Sequence, residues 1–140
     1  MMLVKLNKHD RIMNVLRDVA TQTDHDLRTK LAAALVFKNE IISIGVNQLK
    51  SHPYQKRFSK HEHAIFLHAE IASIIKALKN YDVDTISRCT LYVMRVKYID
   101  GHNDTIIDGL AKPCDGCLKA ITNLGIKKVC YSTEEGYEFL

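Results

Sequence analysis

His68-Ala69-Glu70 and Pro113-Cys114-Asp115-Gly116-Cys117 are the two segments of this chain whose residue types and spacing could do chemistry. A Cys-x-x-Cys at a helix start puts two sulfurs on one side of the first turn, near enough to share a metal. Unpaired backbone N–H groups there favour thiolate over thiol. A ring nitrogen from His68 would complete a three-ligand set. Zinc takes tetrahedral nitrogen and sulfur ligands, and three protein ligands leave a fourth position for water. Two thiolates and a neutral imidazole bring the ion to zero net charge. Zinc lowers the pKa of its water to about 7 in favourable sites, an effect that thiolates blunt. A base beside the water is then useful. Glu70, two residues after the His, is placed to take that proton and return it to a substrate nitrogen.

Regular elements must hold these groups. Ile12, Val15, Leu16 and Val19 form one apolar stripe, so a helix is expected over Lys8–Ala20, with Asn7 as its N-cap and Asp10 in its first turn. Leu31–Phe37 and Ile41–Val46, separated by Lys38-Asn39-Glu40, read as a hairpin. Residues 47–66 read as a long polar and aromatic loop. Ile71, Ile74, Ile75 and Leu78 restore helical spacing, which predicts a helix over His68–Lys79.

Thr90–Val96 is a strand, and Lys97–Lys112 a mostly polar excursion with the turn dipeptides Asp100-Gly101 and Asp108-Gly109. From Cys114, residues Leu118, Ile121 and Leu124 continue a helix closed by Gly125. Ile126–Tyr131 is a last strand, and Ser132–Leu140 is either a short helix or an edge strand. The order α-β-β-α-β-α-β gives a mixed sheet, antiparallel in the early hairpin and parallel in the late strand–helix–strand unit. Both chemical segments then fall at helix starts.

The combination of H-x-E with P-C-x-x-C is the signature of zinc nucleobase deaminases. At these residues the chain resembles the cytidine and deoxycytidylate deaminase superfamily, which includes tRNA adenosine deaminases and polynucleotide cytosine deaminases. The resemblance runs from about Leu31 to Tyr131. It rests on Gly45-Val46-Asn47, HAEIASI (His68–Ile74), TLYVMRV (Thr90–Val96), PCDGCLKAI (Pro113–Ile121) and GIKKVCY (Gly125–Tyr131). It implies an α/β fold of three layers, a mixed four- to five-stranded sheet with both metal-bearing helices on one face. It also implies one catalytic Zn²⁺ per chain held by His68, Cys114 and Cys117, with Glu70 as the catalytic proton carrier. Asn47 would contact a substrate sugar and Ala69 would offer backbone groups to the base. The family commonly assembles as homo-oligomers.

Two features depart from the nearer branches of that superfamily. The Lys97–Lys112 excursion is longer than their strand-to-PCxxC connection, and Lys112 stands where they often carry Ser or Glu. Both lie beside the expected pocket and bear on the substrate rather than on the metal.

Composition sets the remaining bounds. With 140 residues, 46% hydrophobic and 26% charged, the chain fits one globular domain over 1–140. The longest apolar runs are too short to span a bilayer, and no cleavable signal pattern opens the chain, so a cytoplasmic setting is the expectation. In that setting a close Cys pair binds metal or does redox chemistry rather than forming a structural disulfide. Cys89 and Cys130, in strand-like surroundings, read as small buried hydrophobes. A net charge of +4 is mild, suiting a phosphate-bearing substrate without making a nucleic-acid arm.

The leading expectation is hydrolytic deamination of a cytosine-containing nucleotide, similar to deoxycytidylate. The same chemistry on single-stranded DNA or RNA, or on a tRNA loop, is the alternative. Lys50, His52, Lys56, Arg57 and Lys60, interleaved with Tyr54 and Phe58, would then line a strand-binding groove. A closed structural zinc site, drawing a fourth ligand from His61, His63, His102 or Cys130, is a third reading, and a thioredoxin-like redox pair a fourth. Lys60-His61-Glu62-His63 also raises the question of a second metal site.

Overall fold

The computed structural model describes residues 7–22, 30–48, 53–58, 67–98 and 106–140. Among these, five helices and six strands follow one another as α1 (Lys8–Gln22), β1 (Lys30–Phe37), β2 (Glu40–Val46), α2 (Pro53–Phe58), α3 (Ala69–Leu78), α4 (Val83–Ser87), β3 (Thr90–Tyr98), β4 (Ile106–Gly109), α5 (Asp115–Asn123), β5 (Lys128–Thr133) and β6 (Gly136–Phe139).

The strands form one mixed sheet in the order β2-β1-β3-β5-β6, with β4 pairing on β3. Only β3 and β5 run parallel; every other pair is antiparallel. The β1–β2 hairpin turns through Lys38 and Asn39, both at positive φ, and Phe37 pairs with Glu40. This is a two-residue turn of the type that matches strand twist, one residue tighter than the sequence spacing suggested.

Side-chain parity divides the sheet into two apolar faces. Ala33, Leu35, Leu91, Val93, Val129 and Tyr131 pack with α3, α4 and α5. Ala32, Ala34, Val36, Tyr92, Met94, Val96 and Cys130 pack under α1. This is the three-layer arrangement expected, with both chemical segments on one face.

The helix ends follow their local chemistry. Asn7 Oδ1 accepts from the Asp10 N–H at 2.8 Å, capping α1. At the end of α5, Gly125 takes φ +78°, its N–H bonds Thr122 O, and Ile126 N–H bonds Ile121 O. That paired closure satisfies two terminal carbonyls and needs a residue that tolerates the left-handed conformation.

Three elements were not legible as such in the sequence. The 47–66 loop contains α2, which packs against α5. The short helix α4, capped by Asp82 through the Thr85 N–H, precedes β3. The Lys97–Lys112 excursion is a β-hairpin arm in part: β3 continues to Tyr98 and β4 returns along it, pairing Tyr98 with Ile106 and Arg95 with Gly109. The ambiguous tail is a strand, β6.

Where β5 leaves the edge of β3 and β4 arrives, Ser132 joins the three strands. It is fully buried, donates to Gly109 O at 2.7 Å and accepts from the Arg95 N–H at 3.0 Å. Ala111 N–H in turn bonds Ser132 O at 2.9 Å. On its outer side β4 is tied to α1. Arg17 Nε and a terminal nitrogen donate to the two oxygens of Asp108 at 2.8 and 2.7 Å, and this bond raises the Arg17 pKa. A bidentate, half-buried pair stands at the upper end of what surface ion pairs contribute. Asp108→Asn is therefore expected to lower stability by about 1 kcal/mol. A thermal midpoint that shifts at low salt and converges with wild type at high salt is the check.

Candidate active site

α3 and α5 start side by side on the same face of the sheet, and their first turns bring the chemical groups together. His68 is the N-cap of α3, with extended backbone at φ −80° and ψ 156°, and Cys114 is the N-cap of α5, at φ −69° and ψ 168°. Neither uses its side chain to cap its own helix. Both side chains are left to face each other across the gap.

His68 Nδ1 lies 3.2 Å from Cys117 Sγ and 3.5 Å from Cys114 Sγ, and the three ligand atoms all fall within 4.8 Å of one another. A tetrahedral zinc with Zn–S about 2.3 Å and Zn–N about 2.0–2.1 Å holds such atoms roughly 3.5 Å apart. The donor set and its spacing therefore fit zinc. Cys117 is buried, whereas Cys114 is exposed at the mouth of the site.

The two thiols are electrostatically unequal. The Cys117 partner and the His68 ring hold Cys114 down to about 4, while Cys114 and burial push Cys117 upward. A thiolate thus stands ready for a cation at the exposed position. The same thiolate raises the His68 imidazole against the opposing effect of burial.

Glu70 sits in the first turn of α3 with only 4% of its surface exposed. Burial pushes its carboxyl pKa up; its own backbone N–H, His68 and Cys117 pull partly the other way. A buried carboxyl with a raised pKa, beside residues able to hold a metal, has the character of a proton carrier.

His68, Glu70 and Cys114 line a cleft of about 320 Å³. Its walls include Asn47, Ala69, Glu70, Cys114 and Lys112. Asn47 closes the open end of the hairpin: its Oδ1 accepts from the Leu31 N–H at 2.9 Å and its N–H bonds Leu31 O. Ala69 is fully buried at the α3 start. A larger groove of about 470 Å³, between α1 and the β1–β2 hairpin, lies on the other face and holds none of these groups.

Arg95 was missed by the motif-based reading, along with Leu31, Gln48 and Leu110, which also line the cleft. One signal was available for Arg95. It continues the odd-numbered row Leu91–Val93, whose side chains point at α3 and α5.

The remaining candidates separate clearly. Cys130 lies under α1 on the opposite face, too removed to serve as a fourth ligand, and burial raises its thiol to about 12. Cys89 is likewise buried and raised to about 11. Tyr54 packs partly against the core and Arg57 is exposed on α2. Lys50, His52, Lys60, His61, His63 and His102 lie outside the described residues, as do the side chains of Lys56 and Phe58. Among the described residues, His68, Cys114 and Cys117 form the single group able to hold a metal. None of the described helices is long and apolar enough to cross a membrane.

The fold is shared with solved deaminases. A dCMP deaminase from the cyanophage S-TIM5, solved without ligand, superposes with a TM-score of 0.60 at 23% identity, covering 93% of this chain and 86% of that one. The same phage enzyme in complex with dCMP and dUMP gives 0.59 at 21%, covering 92% and 83%. A cytidine deaminase from Burkholderia pseudomallei gives 0.60 at 14%, covering 94% and 91%. Among curated protein sequences none matches. The sequence model of the cytidine and deoxycytidylate deaminase zinc-binding region matches residues 6–133, nearly the whole chain, and to that family the chain belongs.

Proposed function

We propose that this protein hydrolyses the exocyclic amine of a cytosine-containing nucleotide, with deoxycytidylate as the model substrate. One observation carries the reading: the His68–Cys114–Cys117 group gathers beside a cleft of about 320 Å³ that His68, Cys114 and the buried Glu70 line. That volume lies at the small end of the range for ligand pockets, about 300–1,000 Å³. A similar fold in a phage enzyme solved with dCMP and dUMP supports a nucleotide as the occupant.

His68, Cys114 and Cys117 would hold one Zn²⁺ per chain. When bound, zinc supplies an activated water and stabilises negative charge as it develops. Glu70 would take one proton from the attacking water and give it to the ring nitrogen N3, then take the second from the hydroxyl newly bonded to C4 and give it to the exocyclic amine, which leaves as ammonia as its bond to C4 breaks. The burial of Glu70 keeps bulk water from competing for these protons. Ala69, at the N-terminus of α3, would meet the base and Asn47 the sugar; both residues line the cleft. The Asn47 Oδ1 bond to Leu31 holds that side chain in place, which would pre-orient it for such a contact.

The test is a substrate panel on zinc-loaded protein: deoxycytidine, dCMP, dCTP, AMP, single-stranded DNA and tRNA, followed by ammonia release. Turnover is expected on dCMP. Deamination confined to DNA or tRNA, with affinity falling steeply in salt, would replace this reading with the polymer one. Inertness on the whole panel would leave a non-catalytic zinc module.

A further inference from the structure

We propose that Arg95 is the residue that reads the substrate's phosphate, binding the anionic oxygens of a nucleoside monophosphate whose base sits at the Glu70 end of the cleft. This inference rests on the nucleotide reading above and specifies which group enforces it.

The placement is built from the sheet outward. Arg95 lies on β3 opposite Leu31 of β1 and opposite Gly109 of β4. Its parity with Leu91 and Val93 sends the side chain to the face that carries α3 and α5, beyond the last apolar position of that row. There it lines the same cleft as His68, Glu70 and Cys114.

The neighbouring strand is shaped for it. A Cβ built on Gly109 would lie 3.1 Å from Arg95 Cδ and 3.3 Å from Cγ. A glycine at this point leaves the Arg95 stem room to lie across β4. Ser132, through the Arg95 N–H and the Gly109 carbonyl, fixes the two strands on either side of that notch.

The side chain is also incomplete as it stands. Arg95 Nε is buried and, among the described residues, has no hydrogen-bond partner. A buried donor left unmade costs the protein its desolvation, and such exceptions call for an acceptor from elsewhere. An anion is the acceptor that the surrounding charge favours. Among the described residues, the cleft walls carry two permanent cations, Arg95 and Lys112, against one carboxyl, Glu70, which the reaction employs on protons, and the Cys114 thiolate, which would face the metal. The planar guanidinium matches phosphate oxygens two at a time. Lys112, exposed at the rim, would add a point charge from the other side.

The test compares dCMP with deoxycytidine as substrates, and dUMP with deoxyuridine as binders, for wild type, Arg95→Gln and Arg95→Lys, each zinc-loaded. Wild type is expected to prefer the monophosphate on both measures. Arg95→Gln should shrink that preference by roughly ten- to hundredfold, the loss of a charge-assisted contact. Arg95→Lys should keep part of it, since charge survives while the fork does not. Zinc content and thermal midpoint establish that the variants fold. A monophosphate preference unchanged in Arg95→Gln would overturn the assignment, as would equal losses on nucleoside and nucleotide. A wild type inert on both cytosine substrates would sink the nucleotide reading itself, and this inference with it.

Discussion

Glu70→Gln is expected to lower kcat by about three to four orders of magnitude while zinc stays bound. General acid–base groups contribute about 10²–10⁴ to rate, and here one carboxyl both accepts and returns the proton, so the upper part of that range applies. The substitution is close to isosteric. Glu70 is buried with 4% exposure, and Gln keeps its shape without a charge to desolvate. Because burial already raises the Glu70 pKa, a neutral amide costs the fold little, and the thermal midpoint should hold or rise slightly. The three metal ligands are untouched, so zinc content measured by atomic absorption should match wild type. Turnover within tenfold of wild type would remove Glu70 from the proton path. Lost zinc would instead make it a structural partner of the ligand set.

Gly45→Ala should produce the largest loss of stability among conservative changes, and should damage the metal site from a distance. A Cβ at Gly45 would lie 2.7 Å from both the Ala69 carbonyl oxygen and the Ala72 carbonyl carbon, and closer still to the Ser73 nitrogen. These are backbone atoms of α3, which cannot rotate aside. Either α3 lifts from β2 or the hairpin bends. Overpacking of this kind costs about 1–3 kcal/mol, which for a chain of this size lowers the thermal midpoint by on the order of 5–10 °C.

The consequence for function follows from where α3 begins. Its N-cap is His68 and its first turn carries Glu70, so a lifted helix misplaces one candidate metal ligand and the proposed proton carrier together. A shift of that origin typically costs tenfold or more, with about 10²-fold for a full ångström. Zinc should also be lost earlier in a chelator titration. A variant with the wild-type midpoint and zinc retention would mean that β2 and α3 have slack that the close approach hides.

Much of the site was legible because its logic is local. His-x-Glu and Cys-x-x-Cys each sit within a single helical turn, so residue type and spacing alone constrain where their atoms go. The stripe Ile12, Val15, Leu16 and Val19, the Asn7 cap and the Gly125 closure are also short-range. Each depends on helical period or on one backbone conformation; the cap and the closure are present, whereas α1 buries Ile12, Met13, Leu16 and Ala20 and leaves Val15 exposed, because the sheet lies one position round from the expected stripe. The hairpin was readable for the same reason, although its turn proved tighter by one residue.

What escaped the sequence depends on distant segments meeting. β4 has four residues and gains its pairing only because β3 runs on to Tyr98 beside it. Ser132 reads as an ordinary strand residue until the ends of β3, β4 and β5 converge on it. Arg95 looks like a charge at a strand's frayed end, and its importance comes from sheet parity plus a notch at Gly109, fourteen positions later in the chain. The amino-acid sequence by itself singled out His68, Cys114, Cys117 and Glu70 as candidates, together with the two helices that start at them, since those are set by contacts within a few residues. Only the tertiary structure decided that His68 and Cys117 stand 3.2 Å apart, and that an arginine shares their cleft. Both facts are distances between residues far apart in the chain, and sheet register and helix packing are what set them.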